Sequence, residues 1–458
     1  MNNLSLADLC VIAVYILLTL SIGVLARGRQ SVDTYLANDR ATPFALMLCS
    51  TVATWVGAGA IIGVCSAAYT SGISYGISVI FVNIGWFLLF SFLCFRIKEF
   101  GDKSGSYTLG DFIGHSFGPR VRLLFAVSSL VVMVIWTAVQ LLAVGNLCAL
   151  LFGWSLTSGL VAALVITLVY SAAGGLRSDI ITDFIQFWVM LAAFVLIIPF
   201  ATKGGAALHS LSELPDSFFD PMAFGGAVFF FGSLVLGMLY PLSNTVEWQR
   251  VYAAGSPSVA RRAYLWSVPF IFFFVGIAII VGLFAARHFP GLPPDQSFIY
   301  VMQNALPAGV RGLAIASIVA LVCSSVDSLL VSAAAVMARD LLPIATQRPL
   351  NSWIEMRKLR LLSVLFGAVC LLVAIAAPSI VELSIFGAFL YLCFSATVLA
   401  ALFGWKVSPR AVQASIYLGI SGLAVSWVLI GKNSFVVVVF VTFLPLLERK
   451  GSKTSQAT

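Results

Sequence analysis

The stretch Thr51-Val-Ala-Thr-Trp55-Val-Gly57-Ala-Gly59-Ala-Ile-Ile-Gly63 lies inside a long apolar run and carries three glycines. Glycine costs about 1 kcal/mol in a helix interior relative to alanine. Three of them at mid-span either interrupt the helix or let a neighbouring helix approach closely. A second stretch has the same character: Leu239-Tyr-Pro241-Leu-Ser-Asn244-Thr-Val-Glu247-Trp248-Gln-Arg250. Proline, serine and asparagine there break the hydrogen-bond ladder and free carbonyls. Such a break survives in lipid only where protein or a water-filled cavity surrounds it.

The setting of both stretches is a membrane. The chain has 458 residues, 60% hydrophobic and 10% charged. Soluble domains carry roughly 45–50% and about 25%, so this surface could not be covered in water. A bilayer core needs about 20 apolar residues per helix. That rule gives thirteen spans, near 5–26, 43–68, 74–97, 121–150, 156–173, 178–202, 226–252, 263–286, 308–341, 358–377, 380–404, 409–431 and 434–447. The broken spans are the second and the seventh, five apart. This spacing suits a five-plus-five inverted repeat, and paired discontinuous helices mark a midplane transport site. The expected units are an accessory first helix and loop (1–42), a first repeat (43–225), a second repeat (226–404), and accessory helices with a polar tail (405–458). The two halves share no convincing residue-level identity.

The net charge of +8 is a topology signal rather than a nucleic-acid signal. With the N-terminus outside, the cytoplasmic segments hold all of the 26 basic residues except Lys203, Arg287, Arg311 and Lys432, as positive-inside counting requires. The first span carries Asp8 and lacks a basic leader, so it reads as a retained helix and not a cleaved signal peptide. The tail after Glu448 reads as disordered. The eight cysteines fall in apolar segments without CxxC spacing, and the three histidines are scattered. Neither a disulfide framework nor a soft-metal site is expected.

Few charges fall near the membrane interior: Asp183, Glu247, Asp327 and, near a helix end, Glu382. Each is costly unless it faces a cavity or a partner. Asp183 has a candidate partner in Arg177 or in a cap-like bond near its helix start, and Glu247 one in Arg250, three residues on. No lysine or arginine is expected at midplane, with Arg177 and Arg250 at cytoplasmic ends. Around Asp327, Ser324, Ser328 and Ser332 form one helical stripe with Ser325 beside it. Serines often bond back to the preceding turn. Several beside a carboxylate and a broken helix also make hard oxygen ligands for an alkali cation. Trp55, Trp86 and Trp136 lie at mid-span and read either as core or as an aromatic box for a cation such as a quaternary ammonium.

These residues resemble the sodium:solute symporter family, whose members include sodium-coupled sugar, proline, pantothenate, sialic acid and choline transporters. The resemblance rests on Ala53-Thr-Trp55-Val-Gly57, Gly174-Gly175-Leu176 with Thr182-Asp183 and Gln186, Gln249-Arg250, and Ser324-Ser325-Val-Asp327-Ser328. It implies an all-α LeuT-like fold and a sodium ion between the second and ninth helices. The ligands so implied are the carbonyls of Ala53, Val56 and Leu321 and the hydroxyls of Ser324 and Ser325. A second sodium, found in some members, would use Asp183 with Ser324, Asp327 and Ser328; Asp327 stands where the family has a hydroxyl.

Within the family the chain looks most like the high-affinity choline transporter branch, through Thr54-Trp55-Val-Gly57, Ile84-Gly85-Trp86, Trp136 and Met337-Ala-Arg339. Trp55 and Trp136 then fall at cage positions, and Trp86 where that branch has a tyrosine. Asn244 replaces another cage tryptophan, as an asparagine does in the sugar branch, and Trp248 would compensate only by turning into the pocket.

The leading expectation is thus a sodium-driven importer of a quaternary or methylated amine, set in a bacterial cytoplasmic membrane. A neutral or zwitterionic solute is the alternative, and a channel or sensor on this scaffold the reading of another class. No nucleophile or acid–base constellation points to an enzyme.

Overall fold

The computed structural model describes residues 4–25, 31–171, 175–201, 206–343, 352–377 and 379–447. Gly174 and the tail after Glu448 lie outside them. The described chain is nearly all helix, with one isolated bridge between Thr42 and Ala254. Its principal helices are α1 (Leu6–Leu25), α2 (Phe44–Trp55), α3 (Ala58–Ser71), α4 (Ser74–Ser104), α5 (Leu109–Phe117), α6 (Pro119–Phe152), α7 (Leu156–Ser171) and α8 (Gly175–Ala201). There follow α9 (Gly226–Leu239), α10 (Thr245–Ala253), α11 (Pro257–His288), α12 (Ser297–Ala305), α13 (Val310–Val336), α14 (Ser352–Ala376), α15 (Ile380–Leu402), α16 (Pro409–Ile430) and α17 (Ser434–Phe443).

Among the described residues, eight helices are long and apolar enough to cross a bilayer, or nine if the bent pair α2–α3 is one span. Three shorter apolar helices, Leu6–Ile22, Leu156–Val165 and Val364–Ala376, coincide with the first, fifth and tenth spans read from sequence. Residues 409–447, read as two spans, break at Gly431, whose φ of +52° favours glycine. The count of thirteen stays an expectation. Serines start several helices: Ser256, Ser379 and Ser408 each accept a backbone N–H from the first turn.

Polarity runs inside out. Phe92, Phe231 and Val428 are exposed, while Asp183, Glu247 and Arg250 are buried. A chain in water would hide the first set, whereas lipid solvates it and repels the second. Helix α13 is almost wholly buried and packs against α8, α2, α6 and α1. It is the axis on which the functional elements meet.

The bundle is tied at both ends of the α2–α3 span. At one end Thr42 N–H donates to the Ala253 carbonyl (3.0 Å), and Gly255 N–H donates to the Thr42 carbonyl (2.9 Å). At the other, the Asp295 carboxylate accepts from Ser66 Oγ (2.8 Å) and from the Ile380 amide (3.1 Å), joining α3 to the start of α15. Between the two ties lies a cavity.

Candidate functional site

Both interrupted stretches break as helices. Helix α2 ends at Trp55, α3 begins at Ala58, and the two are bent by 43°. Gly57 holds an extended conformation (φ −85°, ψ −177°) that any residue adopts, so its need for glycine is spatial. A Cβ there would stand 2.5 Å from Ser325 Oγ and 2.9 Å from Gln140 Nε2. Breakage and close packing, alternatives in the sequence, are both present. The freed amide of Ala58 donates to Gln140 Oε1 at 2.9 Å, which satisfies the start of α3.

The hydroxyls of α13 face that break. Ser324 Oγ donates to the carbonyls of Ala53 (2.8 Å) and Leu321 (3.1 Å). Ser325 Oγ donates to those of Thr54 (3.0 Å) and Leu321 (3.2 Å). Ala53, Leu321, Ser324 and Ser325 are therefore gathered in one place. Val56 lies in the break itself, between the helices. The Thr54 carbonyl is an additional oxygen. These are neutral hard oxygens, the kind that suits a small alkali cation.

The second break runs through a tight turn at Tyr240–Ser243, with Asn244 capping α10 through Oδ1 to the Val246 amide at 3.1 Å. Arg250 on α10, expected near a span end, turns into the protein. It is fully buried. Its guanidinium contacts Thr54 Oγ1, Ser328 Oγ (2.6 Å), Asp183 Oδ2 (3.3 Å) and Asp179 Oδ2 (3.6 Å). Arg177 pairs instead with Asp39 at 3.7 Å, so it is not the partner of Asp183. Asp183 also accepts from Ser50 Oγ at 2.5 Å, and Ser328 donates to Asp179 at 2.8 Å. Asp327 is buried on α13. Asp179 escaped the sequence reading, although its i, i+4 spacing from Asp183 places both carboxylates on one helix face.

Glu247 likewise departs from expectation. It makes no ion pair with Arg250. Its carboxylate accepts from Trp55 Nε1 (3.2 Å) and from Tyr264 Oη (2.6 Å). The cavity beside it, about 120 Å³, is lined in part by Trp55, Trp136, Tyr240, Asn244, Glu247 and Tyr391.

Two of the expected cage tryptophans stand elsewhere. Trp86 is fully buried behind Trp55, edge-on to it and 5.2 Å from the Tyr240 ring. Trp248 is fully buried too, with Nε1 donating to the Leu242 carbonyl (2.8 Å) and its ring 4.9 Å from Phe112. It satisfies a carbonyl freed by the second break and so turns away from the cavity. Asn244 is not compensated by Trp248; Tyr391 Oη reaches its Oδ1 at 3.1 Å. Tyr240 and Tyr391 were missed in sequence, where a tyrosine at mid-span looks like any other core aromatic.

A model of the sodium:solute symporter family matches residues 34–419. The chain belongs to that family. Its relatives are transporters, not enzymes, and the chain is an integral membrane transporter of LeuT-like fold. It is 24% identical to a sodium/glucose cotransporter of Vibrio parahaemolyticus, over 74% of this chain and 69% of that protein. It is 25% identical to a high-affinity choline transporter of Drosophila melanogaster, over 82% of this chain and 63% of that one. The chain thus spans less than two thirds of the choline relative. A solved Na⁺-coupled sialic acid symporter in a substrate-bound, outward-open state superposes with a TM-score of 0.80, at 18% identity, covering 97% of this chain and 98% of that one. At that identity the likeness speaks for the fold.

Proposed function

We propose that this chain imports a small organic solute together with Na⁺ by alternating access, and that the solute is a quaternary or methylated amine. The observation that carries the reading is a juxtaposition. Carbonyls of a broken helix meet the hydroxyls of Ser324 and Ser325, and Thr54 and Ser325 of that group line a cavity that also presents Trp55 and Trp136. The first group suits a small monovalent cation; indole faces attract organic cations. Sodium bound between α2 and α13 would favour one arrangement of residues 43–225 against 226–404, and its release would loosen the solute site. Such coupling requires different sodium affinities in the two arrangements. The charge supplies the drive, since one elementary charge crossing 100 mV yields about 2.3 kcal/mol. We place the chain in a cytoplasmic membrane with its N-terminus outside.

The guanidinium of Arg250 already stands among Asp183, Ser328 and Thr54. A second sodium there would have to displace it, so we assign one sodium per cycle.

Proteoliposomes with an imposed sodium gradient test the reading. Uptake of a labelled methylated amine is expected to follow Na⁺ and not K⁺. Replacing Ser324 and Ser325 together by alanine removes two hydrogen-bonding groups worth about 1.5–3 kcal/mol each toward a charge. The sodium concentration for half-maximal uptake should rise by about a hundredfold or more. Uptake that responds to sodium as before overturns the site. Trp55→Ala and Trp136→Ala should each weaken solute affinity; if affinity for every transported solute survives both changes, the aromatic cage is wrong.

A further inference from the structure

We propose that Glu247 restricts the transported solute to a net cation, its carboxylate serving as the counter-charge of the ammonium group. This deepens the symporter reading and rests on it.

Among the described residues that line the cavity, Glu247 alone carries a formal charge. The rest of the lining is aromatic, aliphatic, hydroxyl or amide. Both groups that hold the carboxylate are neutral donors, the indole N–H of Trp55 and the phenol of Tyr264. No lysine or arginine nitrogen of the described residues comes within ion-pair distance of it. Arg250 lies one turn further along α10, but its guanidinium faces two carboxylates, Asp179 and Asp183, at 3.6 and 3.3 Å. Those two carboxylates stand in ion-pair range of that guanidinium, and Glu247 does not.

A buried carboxylate without a cation is costly, and the cost is relieved when a positive group enters the same water-poor space. Hydrogen bonds from two donors leave acceptor capacity on the carboxylate, since each oxygen has two lone-pair directions. The arrangement also couples the charge to the aromatic wall. Trp55 lines the cavity while its ring edge is pinned by Glu247, so the negative charge and the ring are fixed relative to one another. A neutral sugar would leave the charge uncompensated. A zwitterion would have to find a place for its own carboxylate in a cavity that already holds one negative charge. An anion would be repelled outright.

The test uses three probes of nearly the same shape and different charge: choline, its uncharged carbon isostere 3,3-dimethylbutan-1-ol, and the zwitterion glycine betaine. Binding is read by thermal shift in sodium and uptake in proteoliposomes, with proline and glucose alongside. Wild type should saturate with choline at a concentration at least tenfold below that for the uncharged isostere. Glu247→Gln, which keeps the shape and removes the charge, should raise the choline value at least tenfold and leave the isostere within twofold. Glu247→Asp should fall between. If the glutamine variant does not fold, the wild-type comparison suffices, because equal saturation by choline and its isostere overturns the inference. If choline is taken up and Glu247→Gln leaves it unchanged, only this inference fails. If proline or glucose is driven by sodium and no amine is, the amine reading falls with it.

Discussion

The two broken helices solve one problem in opposite ways. At the first break, glycine brings backbone against α13, and the exposed groups are met by side chains from other helices: Ser324, Ser325 and Gln140. At the second, the segment satisfies itself, with Asn244 capping α10 and Trp248 donating to the Leu242 carbonyl. The first break presents carbonyl oxygens to its surroundings. The second presents side chains, Glu247 toward the cavity and Arg250 toward the aspartates of α8. Neutral oxygen dipoles suit an ion that must be released each cycle, whereas fixed charges suit selection and anchoring.

This contrast is most severely tested at Arg250. Removing one partner of a buried ion pair costs about 3–5 kcal/mol, because the remaining charge stays uncompensated. Arg250→Gln should therefore cause the largest loss of thermal stability, read as melting in detergent. Adding Asp183→Asn should recover part of it. Without that recovery, Arg250 is not paired as described.

A smaller effect is expected at the first break. Gly57→Ala forces a methyl against Ser325 Oγ and Gln140, at 2.5 and 2.9 Å, an overpacking worth about 1–3 kcal/mol. Gly63→Ala meets its nearest atom at 3.5 Å, ordinary contact, and should be near neutral. Comparable melting of the two variants would show that the first break does not depend on close approach.

The mildest change is at the second break. Asn244→Ala removes a helix cap, worth about 1 kcal/mol, together with the bond from Tyr391. Half-saturation for the solute should shift severalfold with sodium dependence retained. A shift in sodium dependence instead would mean the two breaks do not divide the work.

Much of this was legible in the chain as written. Three glycines in one apolar run and Pro241 with Asn244 in another announce interruptions, because their backbone chemistry is local. Ser324 and Ser325 stood out for a related reason: two adjacent hydroxyls in an apolar helix need partners, and the carbonyls of the first break supply them. Glu247 and Arg250 were misread as a pair because the contacts a sequence displays are those a few residues apart, such as i, i+3. The places of Trp86 and Trp248 stayed open in the sequence because a rotamer decides between lining a cavity and backing it.

By itself, then, the sequence determined the membrane setting, the helical class, the positions of both breaks and the family. These follow from composition and from backbone preferences that act within a few residues. Only the tertiary structure decided which charge meets which. Trp55 and Glu247 lie 192 residues apart, Asp183 and Arg250 67, and no local rule joins positions so distant. A buried charge takes the partner that packing brings within reach, and packing is a property of the whole bundle.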